Sequence, residues 1–437
     1  MKILVVTNFY PPHHGGTFDL RCEIVVEALR QRGHAVSVLT SNHGVGREQR
    51  GGDLERRLLL QGLAGHPTPQ DYKEMLALET DNTAALRESI KAFQPDIVHV
   101  WSLEGLSKSL LFVLRQSRRP VLYDVADMWI AEGIQQDPWI AWWNRADLPW
   151  KEKLRRQTLE ISGQRNKLDD LAPTRPMPGV DRLPDLYKER GDSSEACPTL
   201  ASAFQFEQLY FCSRQLKMAT AQAGFQVQHG DIVHPGIAAE TFAGPLRAPD
   251  APIKKLLFVG ALNAKSGLQT ALDALLLLRR EKLPLTLSVY GRGDSDYMAQ
   301  VRSYVVRSQL PVEFLTVSNA TKDLAAVYRA HDILIHPDSG ETHFATTPLE
   351  AMASGLPVVA ADSGGIRELL RPGENAMVFN PGSVEELVGR IVELQRNPAL
   401  ASSLAEHAQQ EALTTFHHTR MVDAIERLLE QTAVALR

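Results

Sequence analysis

One stretch of the chain gathers acidic, hydroxyl and small residues at a spacing that suits phosphate and sugar chemistry. Ile333-Leu334-Ile335-His336-Pro337 reads as a buried strand stopped by proline, with Asp338 to Thr347 as the loop behind it. Pro348-Leu349-Glu350-Ala351-Met352-Ala353-Ser354-Gly355 then reads as a short helix, Pro348 in its first turn and Gly355 at its stop. Pro357-Val358-Val359-Ala360-Ala361 is the next buried strand. The loop brings Glu341, His343, Phe344, Ala345, Thr346 and Thr347 to a helix start at the carboxyl edge of a sheet. Backbone N–H groups in such a place suit a diphosphate. Glu350, in the first turn, can accept two hydroxyls of a ribose. Spacing alone favours the plainer role, in which both glutamates complement the helix dipole. His343 is equally well read as a ligand contact or as a solvated loop residue.

Other polar residues carry weaker signals. Gly15-Gly16 follows the first strand and opens a helix, so backbone there can approach a ligand without a Cβ in the way. The spacing is not G-x-G-x-x-G, so the dinucleotide fingerprint is absent. His13 and His14 beside that turn are better read as solvated, and His99 as a satisfied histidine at the end of a buried strand. Asp127 follows a strand; it either caps the following helix, the better reading, or positions a hydroxyl. Asp294-Ser295-Asp296 resembles a metal-binding DxD only superficially and reads as a solvated loop, so no metal site is expected.

These residues need scaffolding, and the pattern of elements supplies it. Ile3 to Thr7 is a short apolar strand, and Leu20, Ile24, Val25, Ala28 and Leu29 recur at helical spacing before Gly33. Val36 to Thr40, Ile97 to Val100 and Val121 to Val125 continue a βαβ series with parallel strands. A second series starts near Lys255, with strands at Leu256–Val259, Leu285–Tyr290, Val312–Leu315, Ile333–His336 and Val358–Ala361. The expectation is an α/β chain of two Rossmann-like doubly wound domains facing across a cleft. The N-terminal domain is expected over 1–244, with a Trp- and Pro-rich insertion at about 137–198, and the C-terminal domain over 245–418. A final helix over 419–437, with Met421, Val422, Ile425, Leu428 and Leu429 on one stripe, should rejoin the first domain.

Composition narrows the function classes. A chain of 437 residues exceeds what one core usually holds, and 44% hydrophobic with 23% charged residues excludes a mostly disordered chain. A net charge of −5 spread over both signs argues against nucleic acid as a partner. Cys22, Cys197 and Cys212 form neither a disulfide framework nor a zinc motif. No apolar run is long enough to span a bilayer, and the N-terminus lacks a signal-peptide core, so a cytoplasmic protein is expected. Trp139, Trp142, Trp143 and Trp150 next to Lys151, Lys153, Arg155 and Arg156 suit either packing of the insertion or peripheral contact with the inner membrane face.

At this point the motifs become recognisable together. The strand, acidic loop and Pro348-to-Val359 run resembles the donor-site signature of glycosyltransferase family 4, retaining enzymes of the GT-B type. Phe258-Val259-Gly260-Ala261-Leu262 with Lys265-Ser266-Gly267, Val289-Tyr290-Gly291-Arg292-Gly293 and Asp362 to Glu368 resemble the loops that accompany it. Pro11 to Gly16, Arg32 to Val36, Pro95 to Val100, Asp127-Met128-Trp129 and Val233 to Ile237 resemble the family's N-terminal half. The resemblance takes in about two thirds of the chain. It implies a nucleotide-sugar co-substrate with no cofactor, and a glycan, lipid-linked or small-molecule acceptor. By resemblance Glu350 holds the ribose, Glu341 faces the transferred sugar as the catalytic group, and Phe344 to Thr347 line sugar and diphosphate. Gly16 closes over the phosphates with Gly15 beside it, Gly260, Lys265 and Arg292 serve the donor, and Asp127 lies on the acceptor side.

The chain also departs from that pattern. Eight residues separate Glu341 from Glu350, where the family usually has seven. Ala261 and Ser266 stand where the family carries the arginine and lysine that grip the diphosphate, and Ala126 replaces a basic acceptor-side residue. Lys265 and Arg292 are the candidates to compensate. Those departures keep two alternatives open: an inactive homologue that binds nucleotide-sugar, and an epimerase or phosphorylase on the same fold.

Overall fold

The computed structural model describes residues 1–13, 17–45, 49, 51–144, 148–161, 204, 206–293, 295–315, 321–340 and 344–435. The chain separates into two units, Met1–Val233 with Val422–Arg437, and His234–Met421.

The first unit is built on strands β1 (Lys2–Val6), β2 (Ala35–Ser41), β3 (Leu54–Leu58), β4 (Ile97–Val100), β5 (Val121–Val125), β6 (Leu209–Phe211) and β7 (Asp231–Ile232). They form one seven-stranded sheet in the order β3-β2-β1-β4-β5-β6-β7. Every ladder is parallel. Ile3, Leu4, Val5 and Val6 have no exposed surface, the expected state of a central strand covered on both faces. The helix Thr17–Gln31 buries Arg21, Cys22, Val25, Val26 and Leu29, so its inner stripe lies one position off the one marked by apolar spacing. The sheet order reverses at β1, which places the switch point between β1 and β4.

The second unit repeats the plan with β8 (Lys255–Val259), β9 (Thr286–Tyr290), β10 (Val312–Phe314), β11 (Ile333–His336), β12 (Val358–Ala361) and β13 (Met377–Phe379). Their order is β10-β9-β8-β11-β12-β13, again all parallel, with Leu256 and Leu257 of β8 facing Ile333 and Leu334 of β11. The helix Leu268–Arg280 packs Leu268, Ala271, Leu272, Leu275 and Leu278 into the same core as Leu256, Phe258, Ile333 and Ile335. Here the switch point falls between β8 and β11.

The chain crosses between units at Val233–His234, ahead of the Pro-, Gly- and Ala-rich residues 243–252 around the expected bound of 244. Residues past His234 are held by the second unit: Phe242 is buried with its ring 6.1 Å from that of Tyr328, the Gly244 carbonyl accepts from Gln409, and Arg247 pairs with Asp332 at 2.8 Å. Composition registered the irregular backbone but not these anchors. The final helix, His418–Ala435, starts in the second unit and belongs to the first from Val422 onward. There Arg32 pairs with Asp423 at 2.7 Å and with Glu426, while His34 meets Glu426 at 2.7 Å.

The Trp-rich segment is split in its behaviour. Trp139 and Trp142, on the helix Pro138–Asn144, stack at 6.4 Å and bury against Met75 and Leu148. Trp150, on the helix Trp150–Ile161, is 71% exposed. Packing thus accounts for two of the tryptophans but not for Trp150. No helix among the described residues is long and apolar enough to cross a membrane.

Candidate functional site

The carboxyl edge of the second sheet concentrates the residues singled out by sequence. Pairing between β8 and β9 runs on past the strands: Gly260 N–H donates to the Tyr290 carbonyl at 3.1 Å, and Leu262 N–H to the Arg292 carbonyl at 2.9 Å. A Cβ on Gly291 would stand 1.9 Å from the Gly260 carbonyl oxygen, and one on Gly293 equally close to that of Leu262. The glycines of this turn are therefore required by backbone packed on backbone. The Gly260 amide is used by this pairing.

Next to it, Asn263 organises a tight turn. Its side chain accepts from Lys265 N–H at 2.9 Å, and its carbonyl accepts from the Ser266 hydroxyl at 2.8 Å. Gly267 follows with φ +72°, and a Cβ there would lie 2.1 Å from the Pro337 carbonyl oxygen. That contact presses the start of the Leu268–Arg280 helix against the end of β11. Gly267 caps this helix without a side-chain acceptor, so the positive end of the dipole is not neutralised by a cap. Lys265 and Arg292 are both exposed at this edge. Ser266, 7% exposed with its hydroxyl turned to Asn263, supplies no charge.

The loop after β11 is tied to its neighbours. Asp338 accepts from Gly340 N–H at 2.7 Å, and its carbonyl accepts from the Ser363 hydroxyl, beyond β12, at 2.5 Å. Glu341 and His343 lie outside the described residues. Phe344 is buried, its ring 5.5 Å from that of His234 and 5.9 Å from that of Phe416, so its side chain serves the core of the unit. Ala345, Thr346 and Thr347 are half-buried ahead of the helix Thr347–Ala353.

Glu350 is held on both carboxylate oxygens. It is 5% exposed; Tyr328 donates its hydroxyl to Oε2 at 2.8 Å, and Thr346 donates to Oε1 at 3.2 Å. Thr347 in turn hydrogen-bonds the Tyr328 hydroxyl. Burial raises the Glu350 carboxyl above the ordinary range, opposed by the Tyr328 and Thr346 bonds. Each carboxylate oxygen keeps a further acceptor site after these bonds. The carboxylate is thus held inside the unit, with its orientation set by two hydroxyls. Tyr328, fully buried on the helix Thr321–Arg329, was not singled out from sequence because an aromatic on a helix reads as core. His234 and Glu368, 2.7 Å apart, form a second pair that only the fold reveals.

In the first unit, the loops after β1, β4 and β5 meet at the switch point. Asn8 N–H donates to the Ser102 carbonyl at 3.1 Å, and the Ser102 hydroxyl donates to Asp127 Oδ2 at 2.8 Å. Asp127 Oδ1 accepts from Trp129 N–H at 2.7 Å, but residues 128–136 run as turns, so this bond closes a turn and the expected helix cap is not formed; the next helix starts at Pro138. Burial, followed by the nearby Glu104 charge, pushes its carboxyl up to about 7. Gly15 and Gly16 lie outside the described residues, as does Asp294. Beneath this edge Arg21 pairs with Asp124, Tyr210 donates to Asp124 at 2.8 Å, and His99 Nε2 meets the Tyr210 hydroxyl at 2.9 Å. All four are buried, and burial lowers the His99 imidazole to about 3. Its Nδ1 has no partner among the described residues, so His99 is satisfied on one nitrogen only. Arg21 carries no warning in the sequence, since an arginine beside the apolar residues of a helix reads as solvated.

Known proteins resemble both halves. Residues 253–397 match the family model of glycosyl transferases group 1, and residues 21–150 that of the glycosyl transferase 4-like domain. Glycogen synthase of Mycobacterium tuberculosis is 30% identical over 188 residues, 42% of this chain and 44% of that protein. Phosphatidyl-myo-inositol mannosyltransferase of Mycobacterium leprae is 32% identical over 184 residues, 42% of this chain and 48% of that one. The match thus spans less than half the length of these curated relatives. Among solved structures, Anabaena HepE in complex with UDP-glucose superposes with a TM-score of 0.66 at 18% identity, covering 99% of this chain and 100% of that one. The two sequence models fall one on each unit, and each unit has the doubly wound sheet that the GT-B architecture requires, so the chain belongs to glycosyltransferase family 4.

Proposed function

We propose that the protein transfers a sugar from a nucleotide-sugar to an acceptor hydroxyl, with retention at the anomeric carbon and without a metal ion. The observation that carries this reading is the buried Glu350, aimed by Tyr328 and Thr346 at the carboxyl edge beside the β8/β11 switch point. A carboxylate fixed this way accepts two ribose hydroxyls without paying to order itself. The uncapped start of the Leu268–Arg280 helix, with Lys265 and Arg292 at the same edge, supports a place for the diphosphate.

In this account the acceptor hydroxyl attacks the anomeric carbon on the face the diphosphate leaves. The bond to the phosphate oxygen breaks, and that oxygen takes the acceptor's proton. Fixed dipoles and the two cations stabilise the leaving charge. Glu341 is assigned to the transferred sugar. Asp127 is assigned to the acceptor side, and the acceptor class, whether glycan, lipid-linked or small molecule, follows from the first unit.

The exposed stripe of Trp150 (71%), Leu154 (56%) and Ile161 (87%), beside Lys151 and Lys153, favours peripheral contact with an anionic bilayer. A second reading, nucleotide-sugar binding without turnover, is favoured by the neutral Ala261 and by Ser266 turned into its own loop. Release of nucleoside diphosphate from UDP-, GDP- and ADP-hexoses separates the two. Slow release with one donor, abolished in Glu350→Ala, supports transfer; donor binding with no release supports the second reading.

A further inference from the structure

The second unit holds another constellation, made from the two segments that adjoin its crossings to the first unit. Ile237 and His417 form a parallel bridge, with Ile237 N–H donating to the Phe416 carbonyl at 3.0 Å and His418 N–H to the Ile237 carbonyl at 2.9 Å. Gly236 is pressed against the same segment, since a Cβ there would lie 2.7 Å from His418 Cα. This backbone contact sets Glu240, on the helix Ala239–Phe242, beside two histidines far away in sequence. His417 Nε2 stands 2.8 Å from Glu240 Oε1, and the His417 and His418 rings lie 4.5 Å apart at 31°. One ligand atom from each of the three residues falls within 4.8 Å of the others, the only such group among the described residues.

We propose that Glu240, His417 and His418 bind a divalent cation of the zinc class. Two imidazole nitrogens and one carboxylate oxygen suit zinc, copper or nickel, whereas magnesium and calcium prefer oxygen donors. His418 Nδ1 is buried and has no hydrogen-bond partner, an unmet need that a metal bond would satisfy. His417 Nδ1 lies 2.8 Å from the Thr419 hydroxyl and accepts from Thr419 N–H at 3.2 Å, contacts that hold the ring in place. Ligands of a tetrahedral zinc sit about 3.3 Å apart, so the three side chains close in by rotation while the backbone stays in place. The ion takes the place of the proton at His417 Nε2; a neutral ring keeps that proton by shifting it to Nδ1, where the Thr419 hydroxyl can accept it, and a protonated ring releases one proton to solvent. Glu240 is 69% exposed, which gives the ion a route in and leaves coordination positions for water. The bound ion ties together the chain following Val233 and the chain preceding Val422, the two crossings between units.

The test titrates ZnCl2 calorimetrically into the chelator-treated full chain, with MgCl2 and CaCl2 in excess as competitors. One zinc ion per chain is expected, undisturbed by the competitors, with affinity at least about tenfold weaker in His418→Ala and in Glu240→Gln. Glu240 is exposed, so Glu240→Gln should melt like the wild type without zinc and gain less stability when zinc is added. His43→Ala is the control, because His43 and His66 form a separate pair 3.0 Å apart. No binding by the wild type, equal binding by Glu240→Gln and His418→Ala, or loss confined to His43→Ala would each overturn the proposal.

Discussion

Tyr328→Phe isolates the bond on which the orientation of Glu350 depends. The substitution keeps the buried ring, removes the hydroxyl 2.8 Å from Glu350 Oε2, and leaves that oxygen without its strongest partner inside the unit. A hydrogen bond to a charged group contributes about 1.5–3 kcal/mol. For a unit of this size each kcal/mol moves the melting temperature by about 2–4 °C, so calorimetry should show a loss of about 3–12 °C. Thr346→Ala, which removes a longer bond of 3.2 Å from a half-buried residue, should cost less. In a Glu350→Gln background the further cost of Tyr328→Phe should shrink, because the acceptor is no longer charged. The orienting role adds a second readout: nucleotide affinity should fall in Tyr328→Phe even well below its melting temperature. A Tyr328→Phe protein that melts within about 1 °C of the wild type and binds nucleotide equally well would refute the reasoning.

Three further outcomes follow from other parts of the molecule. Gly267→Ala combines φ +72° with a Cβ 2.1 Å from the Pro337 carbonyl, whereas Gly373→Ala meets φ +76° in open space. In chemical unfolding the first should cost at least about 2 kcal/mol and the second about 1 kcal/mol, the difference being steric. Asp127 is raised by burial to about 7, so between about pH 4 and about 7 the folded chain binds more protons than the unfolded chain and loses stability as pH rises. The burial-raised Glu79 adds a contribution of the same sign. Asp127→Asn should flatten the fall in melting temperature measured across that window. Wild-type protein should float with anionic liposomes at low salt, and Trp150→Ala with Leu154→Ala should leave it at the bottom; equal flotation of both would remove the membrane assignment.

Much of the scaffold was readable because buried parallel strands need continuous apolar runs. Ile3 to Val6, Ile333 to Ile335 and Val358 to Ala361 are all fully or nearly fully buried, in the places their composition demanded. Asp127 was readable as an acceptor for a nearby backbone N–H, because short carboxylates next to turns accept such groups, but the helix expected after it is a run of turns. What escaped the sequence depends on partners distant along the chain. Tyr328 looks like core until Glu350 is folded beneath it, and Arg21 looks like a surface residue until Asp124, 103 positions away, meets it. Pro, Gly and Ala at 243–252 mark irregular backbone, while the contacts of Phe242 and Arg247, invisible in the sequence, show which unit holds that stretch. Trp139 and Trp150 carry the same residue type with opposite fates, which is settled by whether Met75 and Leu148 are there to cover them.

The central claim is that a nucleotide-sugar is seated on Glu350 in the second unit. A thermal-shift panel of UDP-, GDP- and ADP-sugars on wild type and Glu350→Ala tests it most directly, because a ligand that binds only the folded state stabilises it by mass action. The account predicts that one base class raises the wild-type melting temperature, by an amount equivalent to about 2.7 kcal/mol at a hundredfold excess over Kd, and that Glu350→Ala loses most of that gain. A wild type that responds to none of the donors, or a Glu350→Ala protein that responds as fully as the wild type, would contradict it.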